Sequence, residues 1–94
     1  MIVGAAEVRL VVRSSRSLKE KRQAVRSIKD RVSSLFPVAI AEVDDLENHQ
    51  SIVLGVAAVG NDGRHVAGLL QKVVDRIRVN PHAELTDFRI EILT

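Results

Sequence analysis

Apolar residues recur with a period of two in one segment of this 94-residue chain and every three or four residues in the next. The order of these two patterns constrains the fold more than any other feature. Residues 2–13 favour a strand, because Val8, Leu10 and Val12 alternate with the polar residues Glu7, Arg9 and Arg13, and a period of two gives one buried face. Residues 18–35 instead repeat apolar side chains every three or four positions, which is the spacing of an amphipathic helix. The chain is therefore predicted to begin with a strand followed by a helix.

Local signals set both ends of this first helix. Ser17 and Glu20 have the Ser-x-x-Glu spacing of a capping box, in which the serine hydroxyl accepts a hydrogen bond from a backbone N–H of the first turn. Pro37 disfavours helical backbone in the residue before it, so the helix ends near residue 35. The sequence predicts a helix over 18–35.

The middle of the chain predicts a hairpin. Residues 38–43 and 50–60 are rich in β-forming residues, and the segment 44–49 between them is polar and acidic. The acidic segment lacks the spacing of an EF-hand, and carboxylates are well solvated in hairpin loops. No metal site is predicted there.

The remaining residues add a second helix and a last strand. Asn61-Asp62-Gly63 offers a turn and an N-cap, and apolar side chains recur at helical spacing from Val66 to Ile77 and stop before Asn80-Pro81. Residues 87–92 alternate again. The order β-α-β-β-α-β predicts an α+β fold, the ferredoxin-like split β-α-β sandwich, with four antiparallel strands and two helices on one face. Right-handed crossovers would place the first and third strands in the centre, and we expect one domain over residues 1–94.

Composition excludes several functional classes. The chain has no cysteine, so it has no disulfide, thiolate metal site or cysteine nucleophile. It lacks an apolar run long enough to span a membrane and has no basic leader, so we expect a soluble cytoplasmic protein. Phe36 and Phe88 are its only aromatic residues, which are too few to form a platform that stacks bases. The sequence predicts no cofactor.

Positive charge is concentrated in one part of the chain. The formal net charge is only +2, yet nine of the 14 lysine and arginine residues lie between Arg9 and Arg31. A helix turns by about 100° per residue, which places four of the nine within one quarter of its circumference, in a column about 15 Å long. These four, the basic column, are Lys19, Arg22, Arg26 and Lys29. A column of this length spans about two or three phosphates of a nucleic-acid backbone.

Two further arginines extend this candidate site. Arg13 and Arg16 precede the helix, where free backbone N–H groups and the helix dipole favour an anion, so they are predicted to act as an anion clamp. The alternative is that the charge only solubilises an exposed helix face and is partly offset by Glu20 and Asp30. Both interpretations stay open, and any RNA contact would be to backbone or duplex shape.

Two other functions are compatible with the predicted fold. Small apolar residues such as Ala57 lie on the sheet face opposite the helices, which favours a protein-interaction or homodimerisation surface. Alternatively, the segment 13–17 occupies the place where acylphosphatases bind phosphate, which suggests a small phosphate-ester or acyl-phosphate hydrolase. That loop normally needs glycines to wrap the phosphate, and 13–17 has none. We therefore expect a protein without catalytic activity.

Several segments together resemble a known family, above all Ser15–Arg22 (SRSLKEKR), but also Ile28–Arg31, Ala41–Asp44 and Leu54–Ala57. The chain resembles the YlxP-like family of small bacterial proteins of unknown function. The resemblance implies a ferredoxin-like fold and genes that neighbour those of transcription and translation factors, and hence an RNA- or ribosome-associated role. It also implies a binding site in the basic block, which adds Lys21. The predicted nucleic-acid-binding residues are Arg13, Arg16, Lys19, Lys21, Arg22, Arg26 and Lys29.

Overall fold

A computed structural model describes all 94 residues and has the predicted order of elements. The elements are β1 (Ile2–Val11), α1 (Leu18–Leu35), β2 (Ala39–Asp44), β3 (Ser51–Gly60), α2 (Gly63–Arg78) and β4 (Glu84–Ile92). The four strands form one antiparallel sheet in the order β2-β3-β1-β4, so β1 and β3 are central, as predicted. The ferredoxin-like α+β fold is confirmed.

The core lies between the sheet and the two helices. Val8 and Leu10 of β1 pair with Leu54 and Ile52 of β3, and all four are almost completely buried. Because side chains alternate along a strand, these residues share the sheet face that the helices cover. Burial of each such side chain contributes about 1.5–3 kcal/mol, and 17 buried residues form one continuous cluster. Both helices are amphipathic, and neither is long and apolar enough to cross a membrane.

In the structure, β4 begins three residues earlier than the alternation of apolar and polar residues in the sequence, because a β-bulge interrupts that alternation. Leu10 pairs with Leu85 and Arg9 with Asp87, so Thr86 is an extra residue that has no pairing partner on β1. The Thr86 hydroxyl donates a hydrogen bond to the Arg9 carbonyl at 3.2 Å. The inward side chains on either side of the bulge are therefore three residues apart, and the early part of the strand shows no period of two.

The loop between β2 and β3 has a defined conformation. Asp45 has a positive φ of 55°, which aspartate tolerates better than most residues. Its carboxylate accepts a hydrogen bond from the Ser51 hydroxyl at 2.6 Å, and its carbonyl accepts one from the Asn48 amide at 3.0 Å. The loop is thereby tied to the first residue of β3.

Candidate functional site

α1 holds the basic column at the molecular surface. Lys19, Arg22 and Arg26 are exposed, and Lys29 is half-buried. The four salt bridges of the molecule involve other residues, so no carboxylate oxygen lies within 4.0 Å of a charged nitrogen of the column. The donors of these side chains are available to an anion.

The packing of α1 determines which way the basic column faces. The buried stripe of α1, which includes Val25 and Ile28, lies against the sheet. On one side of this stripe, Ser27, Arg31 and Ser34 line a groove toward α2. Since each residue turns the helix by about 100°, the basic column lies on the other side of the stripe, away from α2. It forms an outer edge of the helix layer, on the side of β2.

The residues before α1 make more internal contacts than a free anion site would. Ser17 is the N-cap, and its hydroxyl accepts a hydrogen bond from the Glu20 amide at 3.1 Å, as predicted. The Glu20 carboxylate, however, accepts from the Arg16 amide at 2.7 Å, so a carboxylate of the chain already lies at this helix end. The Arg13 guanidinium is paired with Glu84 at 3.0 Å. An anion clamp at Arg13 and Arg16 would have to compete with these two carboxylates.

The prediction for Lys21 needs correction, because its side chain is in the interior and has no exposed surface. Its ammonium group donates to the Glu42 carboxylate at 2.7 Å and to the backbone carbonyls of Asp45 at 2.9 Å and Leu46 at 3.3 Å. The Ser51 carbonyl lies at 3.4 Å. Lys21 therefore joins α1 to the β2–β3 hairpin and does not reach solvent, where a phosphate would bind.

The sequence does contain a signal for this burial. Lys21 precedes Val25 and Ile28 by four and seven residues, so it occupies a position of the apolar stripe and not of the basic column. Glu42 follows Ile40 by two residues, which places both on the inward face of β2. A lysine in an apolar stripe and a glutamate on the inner face of a neighbouring strand predict a buried ion pair, since neither charge is stable there alone.

Other polar residues of interest have structural partners. Asp62 is the N-cap of α2, as predicted, and its carboxylate accepts from the backbone amides of Arg64 at 2.8 Å and His65 at 3.4 Å. In the acidic segment 44–49, Asp45 is bonded to Ser51. No group of three or more histidine, aspartate or glutamate side chains is arranged to hold a metal ion.

The sheet face opposite the helices is partly apolar. Val43 and Val59 are 53% and 65% exposed, and small residues around Ala57 line a shallow concavity of about 460 Å³. The β1–β4 half of the same face is charged, and Glu7 there binds Arg9 at 2.9 Å and Arg89 at 3.6 Å. The face is therefore divided into an apolar half and an internally paired charged half.

Fold and surface together define a small ferredoxin-like α+β protein that presents one basic helix edge. Residues 3–90 match the family model described as "Protein of unknown function (DUF503)", and the chain belongs to this family. The chain is also 33% identical over 90 residues to the uncharacterized protein YlxP of Bacillus subtilis (strain 168), an alignment that covers 96% of this chain and 98% of that protein. The resemblance to YlxP-like proteins is confirmed, and the family has no assigned function.

One solved structure with a related shape is that of a REP associates tyrosine transposase bound to a REP hairpin. The two chains are 14% identical, and the match covers 99% of this chain and 56% of that chain, with a TM-score of 0.47. A similarity at this level supports no conclusion about what this chain binds.

Proposed function

We propose that this protein binds the phosphate backbone of structured RNA, free or within the ribosome, through the basic column of α1, and that it does so without catalysis. The observation that carries the proposal is that the four side chains of the column have no carboxylate partner. Like charges held side by side repel one another, and a phosphate backbone that runs along them relieves the repulsion.

The remaining candidate residues have different parts in this proposal. Arg16 is exposed and lies just before the N-cap of α1, near the N-terminal end of the column. Arg13 is less favourable, since it must exchange Glu84 for a phosphate, although its pair is 73% and 61% exposed and such pairs contribute little. Lys21 is left out, because it is buried.

The side-chain chemistry of the basic column indicates which features of an RNA it would bind. Guanidinium and ammonium groups along one edge follow a phosphate backbone, whereas sequence readout of single-stranded RNA needs aromatic surfaces that stack bases. The two phenylalanines are half-buried against the core, and the Phe88 ring is covered by Arg78 at 5.6 Å. We therefore infer recognition of backbone and shape in a folded RNA, which would place the protein in the cytoplasm.

Charge reversal of the column tests this function. We expect Arg22→Glu combined with Arg26→Glu to lower the affinity for a fluorescein-labelled RNA hairpin of about 20 base pairs by about 100-fold, because two attractive contacts become repulsive. Fluorescence anisotropy at low salt measures the affinity. Cosedimentation of both proteins with ribosomes gives a second readout.

The matched control is Arg64→Glu combined with Lys72→Glu, which changes the net charge equally on exposed positions of α2. We expect this control to retain most of the affinity, with circular dichroism showing both variants folded. Equal losses in the two double variants would mean that only net charge matters. An unchanged affinity in the α1 variant would exclude the basic column as the site.

The exposed apolar half of the sheet favours a second candidate function, homodimerisation. The whole open face, four strands about 4.8 Å apart and up to about 30 Å long, presents about 550 Å² per copy, so two copies would bury close to the ~1,000 Å² that a specific interface requires only if they also cover the charged half. The small side chains around Ala57 allow a close approach of the second sheet.

A single carboxylate on this face tests the dimer. We expect Ala57→Glu to convert a dimer into a monomer in light scattering, because the carboxylate would be buried without a partner, while RNA affinity stays the same. Gly68→Glu is the control, since Gly68 is exposed on α2 with no atom within 4 Å of an added Cβ. A wild-type protein that scatters as a monomer, or an Ala57→Glu variant that remains dimeric, would refute this candidate.

A further inference from the structure

A polar groove lies between α1 and the C-terminal end of α2, on the side of α1 that faces away from the basic column. Its volume of about 670 Å³ is within the range of small-molecule sites. Ser27, Arg31 and Ser34 line it from α1, Arg76 lines it from α2, and His82 lines it from the loop before β4. We call it the interhelical groove.

The two arginines of the interhelical groove have no partner. Arg76 is half-buried, yet its guanidinium makes neither a hydrogen bond nor a salt bridge, and Arg31 likewise has no carboxylate within 4.0 Å. Asp30 also lines the groove but is paired with neither of them. Two unpaired guanidinium groups that face one groove repel each other, and an anion between them would remove this repulsion.

The C-terminal end of α2 does not oppose an anion here as strongly as an open helix end would. Two of its last four carbonyls already accept hydrogen bonds, that of Arg76 from the Val79 amide and that of Ile77 from the Asn80 amide and side chain. The Asn80 side-chain oxygen also accepts from the amides of His82 at 2.7 Å and Ala83 at 2.8 Å. Asn80 thereby holds the loop that carries His82 at the edge of the groove.

We propose that the interhelical groove binds the phosphate group of a small phosphorylated molecule. A guanidinium donates two parallel hydrogen bonds to a phosphate, and the His82 imidazole and the Ser27 hydroxyl add donors for the remaining oxygens. The Ser34 hydroxyl is not counted, because it already donates to the Arg31 carbonyl at 2.9 Å. Among the apolar lining residues, Val79 is 70% exposed and can contact the organic part of the ligand, whereas Ile28, Val32 and Ile77 are almost completely buried. This site is separate from the basic column and does not depend on the RNA-binding proposal.

An NMR titration of the 15N-labelled protein tests the site, with inorganic phosphate and ribose 5-phosphate as probes and acetate at equal ionic strength as the control anion. We expect saturable shifts of amides in 27–34 and 76–83 with both phosphates and none with acetate. Arg76→Gln should weaken phosphate binding about tenfold, as expected for loss of a charge-assisted pair, and Arg31→Gln should also weaken it. Arg22→Gln on the basic column should leave it unchanged.

Several results would overturn the site. These are the absence of saturable shifts, shifts centred on 19–26, equal shifts with acetate, or full phosphate affinity in both folded glutamine variants. If the RNA hairpin displaces phosphate from the groove and Arg76→Gln weakens RNA binding, the phosphate belongs to a nucleic-acid backbone, and the small-molecule proposal is wrong. Loss of RNA binding only in the Arg22 and Arg26 variants keeps the two sites distinct.

Discussion

At the residue scale, Lys21 shows how a charged side chain can belong to a hydrophobic core. Its methylene groups occupy a place in the apolar stripe of α1, and its ammonium group reaches Glu42 and the loop carbonyls beyond. Transfer of a lysine and a glutamate out of water costs several kcal/mol per ion, and the pair is stable only because the remaining donors find acceptors. The same contacts fix the loop between β2 and β3 relative to the helix.

We expect Lys21→Met to lower the free energy of unfolding by about 3–5 kcal/mol, since it leaves the Glu42 carboxylate half-buried and unpaired and removes the donor from the loop carbonyls. Urea denaturation followed by circular dichroism measures the change. Lys19→Met is the control on the exposed side of the same helix turn, and its effect should stay within about 0.5 kcal/mol.

A variant that replaces both charged residues of the buried ion pair tests whether the unpaired carboxylate causes the expected loss of stability. Lys21→Met combined with Glu42→Leu should be less destabilised than Lys21→Met alone, because an apolar pair needs no compensating charge. If Lys21→Met is as stable as Lys19→Met, the buried contacts of Lys21 with Glu42 and the loop carbonyls do not stabilise the fold.

At the element scale, α1 could be predicted to its bounds because three independent signals agree there. The Ser17 cap, the apolar stripe and Pro37 all depend on contacts within about one or two turns of helix, which a sequence contains in full. β4 could be predicted only in its last six residues, because the bulge at Thr86 depends on the pairing of β4 with β1, 77 residues away in the chain.

The parts of the candidate sites also differ in whether local sequence or tertiary contacts determine them. The basic column follows from the rotation of one helix and needs no tertiary information. The burial of Lys21 depends on a partner 21 residues later, although its place in the apolar stripe was visible. The interhelical groove brings together Arg31 and Arg76 from two helices, and no local pattern connects them.

At the scale of the whole molecule, the two layers carry opposite charge. The helices hold ten of the 14 lysine and arginine residues and three of the 12 aspartate and glutamate residues, whereas the strands hold two and six. A polyanion approaching this molecule is attracted to the helix layer and repelled by the sheet, so the field orients it before any contact forms. The two proposed anion sites lie on the attractive layer, and the proposed dimer surface lies on the other.

Salt dependence measures how many charges the helix layer uses in RNA binding. If Arg16 and the basic column together contact five phosphates of a duplex, the logarithm of the association constant should fall with the logarithm of salt concentration with a slope of about 4 to 5. Arg22→Gln combined with Arg26→Gln should reduce this slope by about two, because two counterion-releasing contacts are lost. Arg76→Gln should leave the slope unchanged if the interhelical groove is a separate site. A wild-type slope below about two, or the same slope in all three proteins, would show that the basic column does not carry the interaction.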